Sequence, residues 1–254
     1  AGAASNQEPV TKAELLAPAG NLEGLQAAIA AGADAVYLGA SAFSARASAG
    51  FDQAQLKEAI ERSHLHGRRV YVAVNTLIKQ REWPQLLSLL AQLGELRPDA
   101  LLVQDLGVLR QIKETLPDLQ VHASTQMAVH NAAGAGFLMA AGISRVVAAR
   151  ECSLKDIREM ADTGIEVEAF VHGALCVSVS GQCLLSSQIG GRSGNRGRCA
   201  QPCRLTYRYG DQEGALLSMR DLNTLEGLPS LLAAGVCSLK IEGELSIENG
   251  VELT

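Results

Sequence analysis

The chain has 254 residues, 47% hydrophobic and 19% charged, with a formal net charge of −5. That length fills one ordinary core, and the acidic balance argues against nucleic-acid binding over the whole surface while leaving room for a local basic patch. No apolar run reaches the roughly 18 residues of a membrane span, and the opening AGAASNQEPVTK has neither the basic nor the apolar segment of a secretory signal.

Residues 1–12 read as a disordered leader. A strand is predicted at 14–17, then a helix at 21–31 that Asn21 caps and Gly32 stops. Strand two lies at 35–38 and its helix at 53–66. Strand three covers 69–75, with a helix at 83–93. Strand four covers 100–103, with a helix at 106–115. Strand five is 120–124, with a helix at 131–141. Strand six is 145–148, with a helix from Ser153 to about residue 163. Strand seven is 166–171. A helix at 222–234 and strand eight at 238–241 end the series.

Alternating strands and helices predict a parallel sheet with crossover helices. Eight of them predict an α/β fold of the (β/α)8, TIM-like barrel type over residues 13–243. An open doubly wound sheet is the alternative, weakened by the lack of a glycine-rich phosphate fingerprint after strand one. Residues 244–254 read as a tail, so the last helix is expected to be short, degenerate or missing. The connection after strand seven is about 50 residues, against a usual two to six. This insertion, 174–221, is expected to carry function.

Barrels of this kind work at the C-terminal ends of their strands. Those ends carry Arg46, Asn75, Gln104, Ser124, Gln126, Lys240 and Glu242, all candidates for binding a polar substrate. His122, Glu168 and His172 are the candidates for moving protons. There is no HExxH, GxSxG or P-loop.

The segment 174–204 holds four of the six cysteines, four arginines and five glycines, and no Asp or Glu. Cys176, Cys183, Cys199 and Cys203 are spaced C-x6-C-x15-C-x3-C. Four thiolates from one long loop can hold zinc or an iron–sulfur cluster, and the spacing alone leaves both open. Cys152 and Cys237 stand apart in apolar settings and read as inert thiols. Arg192, Arg196, Arg198, Arg204 and Arg208 lie among and just after these cysteines, a patch that suits phosphates or another anion, with Arg192 and Arg198 as the binding candidates. Offsetting thiolate charge is the competing role for such arginines.

The stretch EAFVHGALCVSVSGQCLLS at 168–186 resembles the signature of the peptidase U32 family. ELLAPAGN at 14–21, GADAVYLGASAFSAR at 32–46, HASTQ at 122–126, GRCAQPCR at 197–204 and SLKIEG at 238–243 agree with it. The resemblance implies that Cys176, Cys183, Cys199 and Cys203 ligate a 4Fe–4S cluster. It also implies hydroxylation of a pyrimidine C5 in RNA, as 5-hydroxycytidine in 23S rRNA or 5-hydroxyuridine in tRNA, with prephenate as a required carboxylate metabolite. The segments look closest to the ribosomal branch. A U32-type peptidase is one alternative, and a zinc-stapled, non-catalytic binding module is another. RNA is the expected partner, with no membrane and a cytoplasmic setting.

Overall fold

The computed structural model describes residues 12–45 and 50–242. Most of the expected leader, the candidate Arg46, the expected tail and any last helix lie outside the described residues. The chain runs β1 (Glu14–Pro18), α1 (Leu22–Ala30), β2 (Ala35–Gly39), α2 (Gln53–Leu65), β3 (Arg69–Val74), α3 (Trp83–Leu96), β4 (Ala100–Val103) and α4 (Leu106–Thr115). It continues through β5 (Gln120–Ala123), α5 (Ala132–Ala140), β6 (Arg145–Val147), α6 (Leu154–Ala161), β7 (Glu166–Gly173) and α7 (Leu185–Gly190). β8 (Tyr207–Tyr209), β9 (Gln212–Gly214), β10 (Leu222–Asn223), α8 (Leu228–Ala233) and β11 (Val236–Ile241) follow.

Strands β1 to β7 pair in parallel in sequence order, β7 pairs with β11, and β11 pairs with β1. The ring is closed, which rules out the open doubly wound sheet. Strand side chains alternate between faces. Val36, Leu38, Val70, Val72, Leu101 and Val103 point out and pack under the helices. Leu16, Ala35, Tyr37, Tyr71, Ala100, Leu102 and Val147 fill the barrel, with Phe170 against them. Asn21, Asp52, Asp105, Asn131 and Ser153 each accept a backbone N–H from the first turn of the following helix. Such caps start the helices soon after the strands end, and so keep most mouth loops short. No helix among the described residues is long and apolar enough to cross a membrane.

The region after β7 departs from expectation. β7 runs on to Gly173, and β10 pairs antiparallel with its end, Leu222 against Gly173 and Asn223 against His172. The Thr224 N–H and hydroxyl both donate to the Val171 carbonyl, at 3.0 and 2.9 Å. The predicted helix at 222–234 therefore begins only at Leu228, with Pro229 in its first turn. Residues 222–224 satisfy the extended edge of β7 instead. The β8–β9 hairpin was not predicted. Gly210, at φ +60°, takes the first position of its two-residue turn, where glycine is favoured.

Buried charges tie the barrel together from within. Arg145 on β6 reaches Glu14 on β1 at 2.6 Å, Glu166 at 2.7 Å and Glu168 at 3.4 Å, the last two on β7. Lys240 on β11 donates to Glu168 at 2.8 Å, and Ser238 donates to Glu14 at 2.9 Å. The Tyr71 hydroxyl donates to Glu14 at 2.6 Å, and Arg69 also pairs with Glu14. Removing Arg145 leaves the buried Glu14 and Glu168 carboxylates short of compensating charge in low dielectric. Arg145→Met is expected to lower unfolding stability by about 3–5 kcal/mol in a denaturant titration. A loss below about 1 kcal/mol would contradict the role given to the network.

Candidate active site

A cavity of about 80 Å³ opens inside the C-terminal rim of the barrel. Of the expected binding residues, Asn75, Ser124, Gln126, Lys240 and Glu242 line it, together with Tyr37, Ser44, Arg150 and Phe170. Asn75 Nδ2 donates to Ser124 Oγ at 3.3 Å, and Asn75 Oδ1 accepts from Ala45 N–H at 2.8 Å. Ser124 Oγ also accepts from the Gln126 N–H at 3.3 Å. These contacts lock one wall as a fixed array of polar groups. The opposite wall is cationic over aromatic faces. Lys240 Nζ stands 4.2 Å from the Tyr37 ring centre, and the Arg150 guanidinium 4.5 Å from that of Phe170. Arg150 also pairs with Glu242 at 2.9 Å. Gly173, at φ +106°, lets β7 pass against the Glu242 carbonyl, since a Cβ there would lie 1.7 Å from that oxygen.

Tyr37 and Phe170 were not among the predicted site residues, whereas Arg150 stands at the end of strand six, one of the strand ends where the site is expected. Tyr37 and Phe170 sit at inward strand positions, so the alternation of β2 and β7 was the available signal. The three expected proton carriers do not line this cavity. Glu168 is 0% exposed and lies deeper in the barrel, engaged by Lys240, Ser238 and Arg145. His122 is buried beside Tyr71, ring centres 4.8 Å apart. Burial, with the charges of Arg145 and Lys240, pushes its pKa down to about 3. It stays neutral and cannot supply a proton near neutral pH. His172 is exposed at the end of β7, beyond the cavity wall. Gln104 lines a neighbouring groove rather than this cavity.

The cysteine insertion is fastened to the cavity rim. Ser180, buried at φ +32°, accepts the Arg150 N–H at 3.2 Å and donates to Glu151 at 2.8 Å. Gln182 donates to the Gln126 carbonyl at 2.9 Å. Gly197, at φ +75°, lies against Ser44, where a Cβ would come within 2.4 Å of the Ser44 carbonyl. Arg196 bonds the Leu77 carbonyl at 2.6 Å and pairs with Glu82. Arg204 spans the insertion, donating to the Leu175 carbonyl at 3.0 Å and to Ser218 at 2.7 Å. These two arginines hold the loop in place. Arg192 and Arg198 are exposed, and their side chains make no hydrogen bond or ion pair among the described residues.

Cys203 feels the charges of Cys176, Cys183 and Cys199, so the four thiols are neighbours; burial raises the Cys203 pKa. Backbone N–H groups two residues on point at three of the sulfurs: Ser178 at Cys176 (3.4 Å), Leu185 at Cys183 (3.3 Å) and Gln201 at Cys199 (3.4 Å). Metal-bound sulfurs accept hydrogen bonds of this kind. Among the described residues, no three His, Cys, Asp or Glu side chains close on a point that fits one ion. A lone zinc needs its thiolates about 2.3 Å from a common centre. A cluster takes each thiolate at a separate iron, and the chemistry of four thiolates suits either centre. Cys152 donates weakly to the Val129 carbonyl at 3.7 Å, and burial lifts its pKa to about 11. Cys237 donates to the Val167 carbonyl at 3.4 Å, and burial likewise raises its pKa. Both remain thiols near neutral pH.

Ser180, Glu151 and His130 form a chain, with Glu151 also 2.6 Å from His130 Nε2. The carboxylate stands between hydroxyl and imidazole. The imidazole meets the carboxylate and not the Ser180 hydroxyl, which is not the nucleophile–imidazole–carboxylate order of a hydrolytic triad, so this is a loop anchor.

The family model described as Peptidase family U32 matches residues 20–254. The tRNA hydroxylation protein P1 of Bacillus subtilis is 36% identical over 92% of this chain and 59% of its own length. The 23S rRNA 5-hydroxycytidine synthase of Escherichia coli is 40% identical over 91% of this chain and 36% of its own length. The chain thus spans less than two thirds of these relatives. The solved structure of the U32 peptidase Mk0906 matches 95% of this chain and 98% of its own, with a TM-score of 0.63 at 12% identity, a likeness of fold.

His122 generates a pH test. It binds no proton in the folded state until about pH 3, whereas the unfolded chain protonates it near its ordinary value of 6.5. Its contribution to stability is therefore complete above about pH 6.5 and falls as the pH drops through that window toward 3. Between pH 7 and pH 5, denaturant titrations should show the wild type losing up to about 2 kcal/mol more than His122→Asn. Equal losses would show that His122 protonates freely in the folded protein.

Proposed function

The chain belongs to peptidase family U32, and on that premise we propose that it hydroxylates C5 of a pyrimidine in RNA, cytidine of 23S rRNA or uridine of tRNA. The observation that carries this is the fastening of the four-thiol insertion, through Ser180, Gln182 and Gly197, to residues lining the mouth cavity. Replacing C5–H by C5–OH brings in an oxygen atom and removes two electrons from the base, so the reaction calls for an oxygen donor and an electron acceptor, with a redox centre beside the cavity. Cys176, Cys183, Cys199 and Cys203 are proposed to hold a 4Fe–4S cluster, which would supply electron transfer there.

The other roles belong to side chains of the barrel and insertion. Lys240 is 4% exposed and fixed by Glu168, so its ammonium is presented to the cavity in one place. With Arg150 it is suited to take a small carboxylate metabolite such as prephenate. Asn75, Ser124 and Gln126 present fixed donors and acceptors to the edge of a base. The base must leave its stack to reach them. The exposed Arg192 and Arg198 are suited to the RNA backbone phosphates, whose attraction is sequence-independent and weakened by salt. A cytoplasmic setting follows from an RNA substrate. The peptidase reading draws little from the site, because Ser124 at the cavity bonds Asn75 and the Gln126 N–H rather than a base.

Cys183→Ser tests the proposal. Anaerobically purified wild type should carry about four iron and four sulfide per chain. The variant should lose most of that iron and fail to restore the hydroxylated nucleoside in cells lacking the gene. A variant that restores the nucleoside to the wild-type level would contradict the role of the four cysteines.

A further inference from the structure

One residue of the cysteine insertion holds a backbone shape that glycine takes most freely. Ser180 sits at φ +32° and ψ +50° in the turn between Cys176 and Cys183. A residue with a side chain keeps that left-handed conformation where its surroundings impose it. Glu151, on the loop after β6, imposes it here. Its Oε2 accepts both the Ser180 N–H at 3.3 Å and the Ser180 hydroxyl at 2.8 Å. The Ser180 oxygen in turn accepts the Arg150 N–H at 3.2 Å. The other carboxylate oxygen, Glu151 Oε1, meets His130 Nε2 at 2.6 Å, and His130 Nδ1 meets the Ala128 carbonyl at 2.6 Å. Burial raises the Glu151 pKa, but the bonds from His130 and Ser180 outweigh it and keep the group ionised. A carboxylate and a carbonyl can only accept, so both ring nitrogens donate. His130 is an imidazolium in this arrangement.

We infer that His130 and Glu151 are positioning residues for the thiols: as an imidazolium–carboxylate pair they hold the Ser180 turn in its left-handed shape against the end of β6, and the turn loosens once the imidazole gives up a proton. The inference deepens the reading above and rests on it in one respect, that the turn joins two of the four proposed ligands, Cys176 and Cys183. A neutral imidazole has one N–H. Wherever that hydrogen stays, the other nitrogen turns a lone pair on an oxygen 2.6 Å away, and one contact becomes repulsive. With the hydrogen on Nδ1, Glu151 is pushed off the ring and Ser180 loses the partner that imposes its shape. The charges facing His130 favour the proton. Glu151 and, from the first turn of α6, Asp156 hold its pKa above the ordinary value. Asp156 is bonded by Ser153 and lies beside Lys155. Asp105, across the hollow that His130 lines, is taken up by the first turn of α4. Arg150 turns into the mouth cavity and pairs with Glu242. Ser180 and Gln182 face this region from the insertion without charge. The folded protein thus keeps the second proton to a higher pH than the unfolded chain. Order in the turn is complete below about pH 6.5 and is lost as the pH rises through the raised folded value.

The test is hydrogen–deuterium exchange of the full-length, anaerobically purified protein, read by mass spectrometry on peptides covering residues 177–183 and corrected for the intrinsic pH dependence of exchange. In the wild type, protection of these amides should fall about tenfold between about pH 6 and about pH 8.5, while peptides covering β5 keep theirs. His130→Phe keeps a ring without N–H groups and should show the low protection at both pH values. His130→Arg carries a charge that does not titrate in this range and should keep the turn protected at both. Wild-type protection that does not change with pH, or a pH-dependent fall that persists in His130→Phe, overturns the inference. Iron measured in the same samples separates it from the cluster reading. Iron-bearing protein with a flat profile overturns the positioning role alone. The expected profile in protein that holds no iron, even after reconstitution, overturns the cluster and leaves the positioning role standing.

Discussion

Arg145 and Glu14 meet at 2.6 Å inside the barrel from positions 131 residues apart. Around them Tyr71, Glu168, Ser238 and Lys240 complete a buried lattice of charges and hydroxyls, to which the exposed Arg69 and Glu166 add ion pairs. Each charge needs the others, since an unpaired ion in low dielectric is costly. Strands β1, β3, β6, β7 and β11 are thereby held in one register. The upper edge of this lattice is Lys240, whose ammonium faces the mouth cavity. The same contacts that close the barrel thus fix the cation on the cavity wall.

Function is grafted onto that frame by the insertion after β7. It has little core of its own, and many of its apolar side chains, Val179, Leu184, Ile189 and Leu205 among them, are exposed. What orders it is polar. Arg196 and Arg204 bind backbone carbonyls, Ser180 is clamped by Glu151, and Gly197 accepts close contact with Ser44. His130 extends the clamp, and its hydrogen bond with Glu151 holds its pKa above the ordinary value. The loop that carries the thiols is therefore tied to the barrel, through Ser180 at Arg150 and Gln182 at Gln126.

The barrel was legible because its signals are local. Apolar runs at 35–38, 69–75 and 100–103 alternate with capped helices, and this pattern leads to a closed parallel sheet. Asn75, Ser124, Gln126, Lys240 and Glu242 could be named because strand ends converge in such a fold. Depth along a strand was not legible. Glu168 and His122 share inward positions with true cavity residues but sit lower, where only the ring of partners reveals them. The β8–β9 hairpin and β10 escaped for another reason. Short strands are specified by their pairing partners, and the partner of β10 is the far end of β7. The arginines of the insertion looked alike in sequence, yet Arg196 and Arg204 are structural while Arg192 and Arg198 face solvent.

The measurement that bears most directly on the account is nucleoside mass spectrometry of ribosomal and transfer RNA from cells with and without this gene. The account predicts that 5-hydroxycytidine or 5-hydroxyuridine disappears from one RNA class on deletion and returns with the wild-type gene. Unchanged levels of both nucleosides would contradict it, and would leave the thiol-bearing barrel mouth without the chemistry argued for it.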